Sequence, residues 1–148
     1  MISVFTDDYF MKKAIDEAKM AYESGEVPVG AVIVCNNSII AKAHNQVEGL
    51  SDITAHAEIL AITSASNYLG SKFLDECTMY VTLEPCPMCA GALKWARIGR
   101  LVYGAADDKG GFMNFGREML HKTSKVEYGV HNEQCVQLMK TFFKALRH

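Results

Sequence analysis

Two short segments, Ala55-His56-Ala57-Glu58 and Glu84-Pro85-Cys86-Pro87-Met88-Cys89, restrict the folds open to this chain more than any other stretch. They read H-x-E, a gap of 26 residues, then P-C-x-x-C. Two cysteines three apart at a helix start reach one metal ion from a single turn, and an imidazole from elsewhere completes three ligands with one position open. That is the arrangement of a catalytic zinc, whereas a structural zinc is closed by four protein ligands. Any fold of this chain has to bring residue 56 against residues 86 and 89.

The remaining cysteines do not close the set. Cys77 and Cys86 flank the predicted strand 78–83, whose ends lie roughly 20 Å apart at about 3.3 Å per residue. Two zinc–sulfur bonds of about 2.3 Å do not bridge that distance. Cys35 and Cys135 fall in an apolar strand and an amphipathic helix, where a cysteine serves as a small core residue. A redox dithiol at Cys86/Cys89 is the competing reading, and it leaves His56 and Glu58 without a role. Five cysteines without the spacing of a disulfide framework fit a reducing cytoplasm.

Hydrophobic periodicity places these motifs. Thr6 caps a predicted helix over 7–24, with Phe10, Ala14, Ala18 and Ala21/Tyr22 as its apolar stripe and Gly25 beyond its end. Strands follow at 29–35 and 38–43, joined by Asn36-Asn37 as a hairpin turn. A loop over 44–53 leads to a helix over 55–67 that Thr54 is placed to cap. Strand 78–83 runs into a helix beginning near Pro87 and ending near Ile98, then a strand over 100–105. Residues 106–124 read as loop with a short helix near Glu118. A strand over 125–130 and a final helix capped by Asn132 and reaching 147 complete the chain. Strands alternating with helices predict one α/β sandwich with helices on both faces of a sheet, a single domain over 1–148.

His56 and the Cys86/Cys89 pair each fall in the first turn of a predicted helix, so two positive helix ends point at the metal. Two thiolates cancel the charge of Zn²⁺, and those helix ends draw charge back from sulfur. Glu58, two residues after His56, projects beside the ligands over the open position. There it is placed to take a proton from water and pass it to an amino-bearing ring and its leaving amine.

Charge is unevenly spread. Residues 1–93 carry 5 Lys/Arg against 12 Asp/Glu, and residues 94–148 carry 10 against 5. Lys94, Arg97, Lys109, Lys140, Lys144 and Arg147 all lie in this basic third, where an anionic partner would be held; solvated helix faces are the plainer account. The longest apolar run, about nine residues around 27–35, holds Pro28 and Gly30 and falls short of the roughly 20 a bilayer needs. With Asp7 and Asp8 ahead of any apolar stretch, neither a secretory signal nor a membrane partner is expected.

The sequence closely resembles the cytidine/deoxycytidylate deaminase superfamily and, within it, the bacterial tRNA-specific adenosine deaminases. The residues that carry the likeness are 27–32, Asn45, 54–58, 80–92, 97–100 and 102–105. The spaced H-x-E and P-C-x-x-C are that superfamily's signature. The resemblance implies a three-layer α/β/α sandwich around a central five-stranded mixed sheet, a homodimer, and one Zn²⁺ per subunit held by His56, Cys86 and Cys89. It implies hydrolysis of the wobble adenosine (position 34) in a tRNA anticodon loop to inosine and ammonia, with Glu58 catalytic. It further implies that Asn45, Ala57, Pro28 and Phe143 meet the substrate. From the residues alone, Asn45 reads as a loop residue bonding backbone, and Phe143 as core beside Phe142 and Leu138. Two stretches depart from the family. Phe112-Met113-Asn114-Phe115-Gly116 stands where a Gly/Ser-rich stretch is usual, and the C-terminal helix is less basic. Trp95 is similar to a residue of free-guanine deaminases, so a free base, guanine or cytosine, is the alternative substrate. A zinc-stabilised RNA-binding module without turnover is a third reading.

Overall fold

Thr6 takes the Tyr9 N–H on its hydroxyl (3.2 Å) and starts α1 (Asp7–Glu23), whose first turn carries Asp7 and Asp8 against the helix dipole. This computed structural model describes residues 5–147, so the first four residues and His148 lie outside the described residues. The predicted stripe of Phe10, Ala14, Ala18 and Ala21 is buried, joined by Met11 and Ile15. Strand β1 (Gly30–Cys35) turns through Asn36 and Asn37, at φ 53° and 61°, into β2 (Ser38–His44). Two successive left-handed residues are what a tight hairpin turn requires, and asparagine tolerates them.

The other elements are a short α2 (Val47–Leu50), α3 (Ala57–Leu69), β3 (Thr78–Leu83), α4 (Pro87–Ala96), β4 (Arg100–Ala105), β5 (Lys125–Tyr128) and α5 (Asn132–Leu146). The five strands form one mixed sheet in the order β2-β1-β3-β4-β5. β1 runs antiparallel to β2 and β3, while β3, β4 and β5 are parallel. Successive strand residues serve opposite layers, as a period of two demands. Ala31, Ile33, Met79, Val81, Leu101 and Tyr103 face the alanine-rich inner sides of α3 and α4. Val32, Val34, Tyr80 and Val102 face α1 and α5. The three-layer α/β/α sandwich is therefore as expected.

Several boundaries differ from the sequence reading. Helix α3 starts at Ala57, and Thr54 does not cap it, because its N–H and hydroxyl both go to Asp52 Oδ1 (2.9 and 2.7 Å). At α5 the cap position belongs to His131, left-handed at φ 55°, and Asn132 is already helical. The 44–53 loop contains α2, and the short helix near Glu118 is a 3-10 turn, Arg117–Met119, preceded by another at Phe112–Asn114.

One polar cluster ties the α1 layer to the sheet. Arg100 of β4 grips Asp7 with two bonds (2.7 and 2.6 Å), Tyr80 of β3 donates to the same carboxylate (2.7 Å), and Glu127 of β5 pairs with Arg100 (2.8 Å). The Arg100 guanidinium holds the Asp7 carboxyl below its usual range. Asp7→Asn is expected to destabilise the fold by about 1–2 kcal/mol. Since the ionised form is the one favoured in the fold, that loss is full at neutral pH and disappears only as acid titrates Asp7 below its ordinary value. Urea unfolding of both proteins at pH 7 and pH 3 measures it.

Candidate metal centre and active site

The chain reverses from extended to helical at both ligand segments. His56 (φ −72°, ψ 151°) and Cys86 (φ −71°, ψ 168°) occupy the N-cap positions of α3 and α4, not their first turns as expected from sequence. Pro87 supplies the first helical residue, with its φ preset and no N–H to leave unpaired. Cys89 then sits one turn in, fully buried. The open N-termini of two helices consequently converge on one point, and their positive ends face the ligands.

At that point His56 Nδ1 lies 3.5 Å from Cys89 Sγ and 3.7 Å from Cys86 Sγ, and the three ligand atoms all fall within 4.8 Å of one another. Zinc bonds of about 2.3 Å to sulfur and about 2.0 Å to nitrogen give a tetrahedral N···S edge of about 3.6 Å. The donor set fits a zinc ion in both chemistry and spacing. Cys77 is not part of it, having its place at the opposite end of β3. In the metal-free chain the Cys89 thiol, the first-turn N–H dipoles of Cys89 and Met88 and the nearby His56 hold the Cys86 thiol down to about 5. Its neighbour Cys89 is pushed up by that same contact with Cys86 and by burial.

Glu58, in the first turn of α3, is buried, with its carboxyl against Cys89. Burial, with the Cys86 charge adding to it, raises this carboxyl to about 7. In metal-free protein, ionising Glu58 therefore opposes folding, and the penalty grows as pH rises from the ordinary carboxylate range through 7. Metal-free Glu58→Gln is expected to match the parent near pH 4 and exceed it by about 3 kcal/mol at pH 8. Denaturant melts of both apo-proteins across that range check it.

His56, Glu58 and Cys86 line a cavity of about 730 Å³ at one end of the sheet, where β3 and β4 finish and β1 begins. Its wall includes Val27, Val29, Asn45, Leu83, Phe142 and Phe143. Asn45 is buried and its Oδ1 accepts the Ala57 N–H (2.7 Å), anchoring the start of α3. The two other predicted substrate residues stand behind the wall. Ala57 is fully buried with its N–H committed to Asn45, and Pro28 is buried between Val27 and Val29 without reaching the cavity. Phe143 is 40% exposed at the cavity edge, while Phe142, at ring-centroid distances of 5.3 Å from it and 6.0 Å from Tyr22, fills the core role.

Two buried acids have no role assigned from sequence. Glu84 accepts the N–H groups of Asp107 (3.1 Å) and Met113 (3.0 Å), folding the 106–113 loop against the cavity. A side chain at Gly111 would collide with that carboxylate. Glu26 accepts from Glu48 (3.0 Å) and Gly49 (2.8 Å), fixing α2 on the other side. A charged residue beside an otherwise apolar strand end is the sequence signal available for both.

The chain matches the MafB19-like deaminase family over residues 5–147. It is 48% identical over 146 residues to the tRNA-specific adenosine deaminase of Bacillus subtilis (strain 168), covering 95% of this chain and 91% of that one. The chain belongs to the tRNA-specific adenosine deaminase family. Among solved structures, one from biochemical and structural studies of A-to-I editing by tRNA:A34 deaminases superposes with a TM-score of 0.82. It shares 41% identity over 88% of this chain and 98% of that one. The guanine deaminase from Bacillus subtilis superposes less well, at a TM-score of 0.65 and 43% identity over 68% of this chain and 65% of that one. The fold of these deaminases, cytidine deaminase-like, is the one described above.

Trp95, similar in sequence to a residue of free-guanine deaminases, is neither buried nor at the cavity. It is 84% exposed on α4, in a separate groove with Phe73 and Arg97. The basic residues divide likewise. Lys109 and Lys140 line a hollow of about 580 Å³ that shares Phe143 with the main cavity, whereas Lys94 and Arg97 line the Trp95 groove. No helix among the described residues is long and apolar enough to cross a membrane.

Proposed function

We propose that this chain hydrolyses the wobble adenosine of a tRNA anticodon to inosine and ammonia, as one deaminase domain with one Zn²⁺ per subunit. The observation that carries this reading is a zinc-sized triangle of His56, Cys86 and Cys89 beside a buried carboxylate, on the floor of a cavity of ligand size. Zinc held there supplies the Lewis acidity that makes water a nucleophile near neutral pH. Glu58, its carboxyl buried beside Cys89, takes the proton lost by the attacking water and returns it to a ring nitrogen and then to the departing amine. Asn45 orients the nucleoside with the amide group that its bond to Ala57 leaves free. Phe143, at the edge, gives a flipped base an aromatic face. Lys109 and Lys140, in the adjoining hollow, meet the phosphates of neighbouring nucleotides. An unpaired anticodon loop delivers its base without the cost of opening a duplex.

The same reading includes a homodimer formed through the exposed apolar side of α4, where Trp95 and Met88 protrude, and a cytoplasmic site of action beside tRNA. Zinc-loaded protein should form inosine in an anticodon stem-loop carrying adenosine-34 and leave free guanine, cytosine and adenine unchanged. Ammonia from a free base alone would assign the site to base salvage instead, and stem-loop binding without ammonia would make the chain a binding module.

A further inference from the structure

Two cysteines away from the metal centre stand opposite one another. The antiparallel β1–β3 register pairs Ala31 with Val81 and Val34 with Thr78, so one further step sets Cys35 against Cys77. Ladder bonding stops there, because the Cys77 N–H goes to the Leu74 carbonyl and its own carbonyl accepts from Gly99 and Arg100. Antiparallel positions without ladder bonds bring Cα atoms to about 4.5 Å, within the about 4.4–6.8 Å that a disulfide spans. Both side chains belong to the core layer under α3 and α4. Both thiols are free, Cys77 buried and Cys35 half-buried with its Sγ 3.7 Å from the Glu76 carbonyl oxygen. Burial first, and then the neighbouring Cys35, push the Cys77 thiol up to about 12.

We propose that Cys35 and Cys77 form a reversible cross-strand disulfide, closed by exchange with a low-molecular-weight disulfide such as oxidised glutathione. The accessible Cys35 thiolate attacks one glutathione sulfur, breaking its S–S bond and releasing one glutathione. Cys77 then attacks the Cys35 sulfur of the mixed disulfide, and the second glutathione leaves with the Cys77 proton. Two protein thiols are oxidised and one small disulfide is reduced to two thiols. The bridge encloses residues 36–76 and so ties β2, α2 and α3 to the central strand. It lies at the far end of β3 from Cys86 and Cys89, roughly 20 Å along the strand, and needs neither zinc ligand.

Zinc-loaded protein is to be incubated with oxidised glutathione, alkylated, digested and analysed by mass spectrometry, with thermal melts in parallel. The expected result is a Cys35–Cys77 linked peptide and a Tm rise of about 5–10 °C, both reversed by dithiothreitol. Cys35→Ser, a near-isosteric change at a half-buried position, should show neither. Full alkylation of both cysteines after oxidation, glutathione left permanently on Cys35, or an equal Tm shift in Cys35→Ser would overturn the proposal.

Discussion

Glu58→Gln is expected to retain one zinc per chain while turnover on an adenosine-34 stem-loop falls by about 10²–10⁴. The two effects separate because the proposed metal ligands are His56, Cys86 and Cys89, whose ligand atoms cluster without help from Glu58. Glutamine keeps the shape of the buried side chain and removes its capacity to carry a proton. The measurement is zinc by elemental analysis, followed by single-turnover inosine formation with the loaded variant. KM should change far less than kcat, because Asn45 and Phe143, not Glu58, hold the nucleoside in the proposed mechanism. A zinc-replete Glu58→Gln protein with near-parental turnover would take the proton-transfer role away from Glu58. His56→Ala, by contrast, should lose the metal and the activity together.

Gly30→Ala carries the largest expected loss of stability. Gly30 opens β1, where α1 crosses the sheet, and an added Cβ would run into the Ala14 carbonyl oxygen and the Ala18 nitrogen, with Glu17 Cβ only 2.8 Å away. Two of these obstacles are backbone atoms, so no rotamer change relieves the overlap. Either α1 lifts off the strand or β1 shifts in register, and the Gly30 N–H bond to Thr82 Oγ1 (3.2 Å) breaks with it. Overpacking costs about 1–3 kcal/mol where side chains yield. Here a loss of about 3 kcal/mol or more is expected, with a Tm lowered by about 10 °C. Thermal melts of the zinc-loaded proteins measure it.

The chemistry is legible in the sequence because its spacing is local. Cys86 and Cys89 sit within one turn and His56 and Glu58 within two residues, a grouping that a metal site demands and ordinary core packing does not. The sheet is legible through short β-prone runs such as 29–35, bounded by turn residues, whose apolar side chains are then shared between both layers. Helix starts are misplaced where a capping side chain has a competing partner. Thr54 is occupied by Asp52, and His131 adopts a left-handed conformation that no periodicity announces. The front of the 106–124 stretch is unreadable because Glu84, a carboxylate 23 and 29 residues away, holds its Asp107 and Met113 N–H groups. Such a contact leaves no local pattern. Pro28 and Ala57 mark the remaining gap. Both belong to segments shared with the family, and nothing in the sequence separates a residue that forms a wall from one that stands behind it.

The carboxylates of Glu26 and Glu84 flank the cavity, and each commits both oxygens to main-chain donors of the loop it borders. A rim held in this way is already ordered before a guest arrives, so binding does not have to freeze it. Adaptation then falls to the nucleic acid, which must present its nucleotide to a rigid mould.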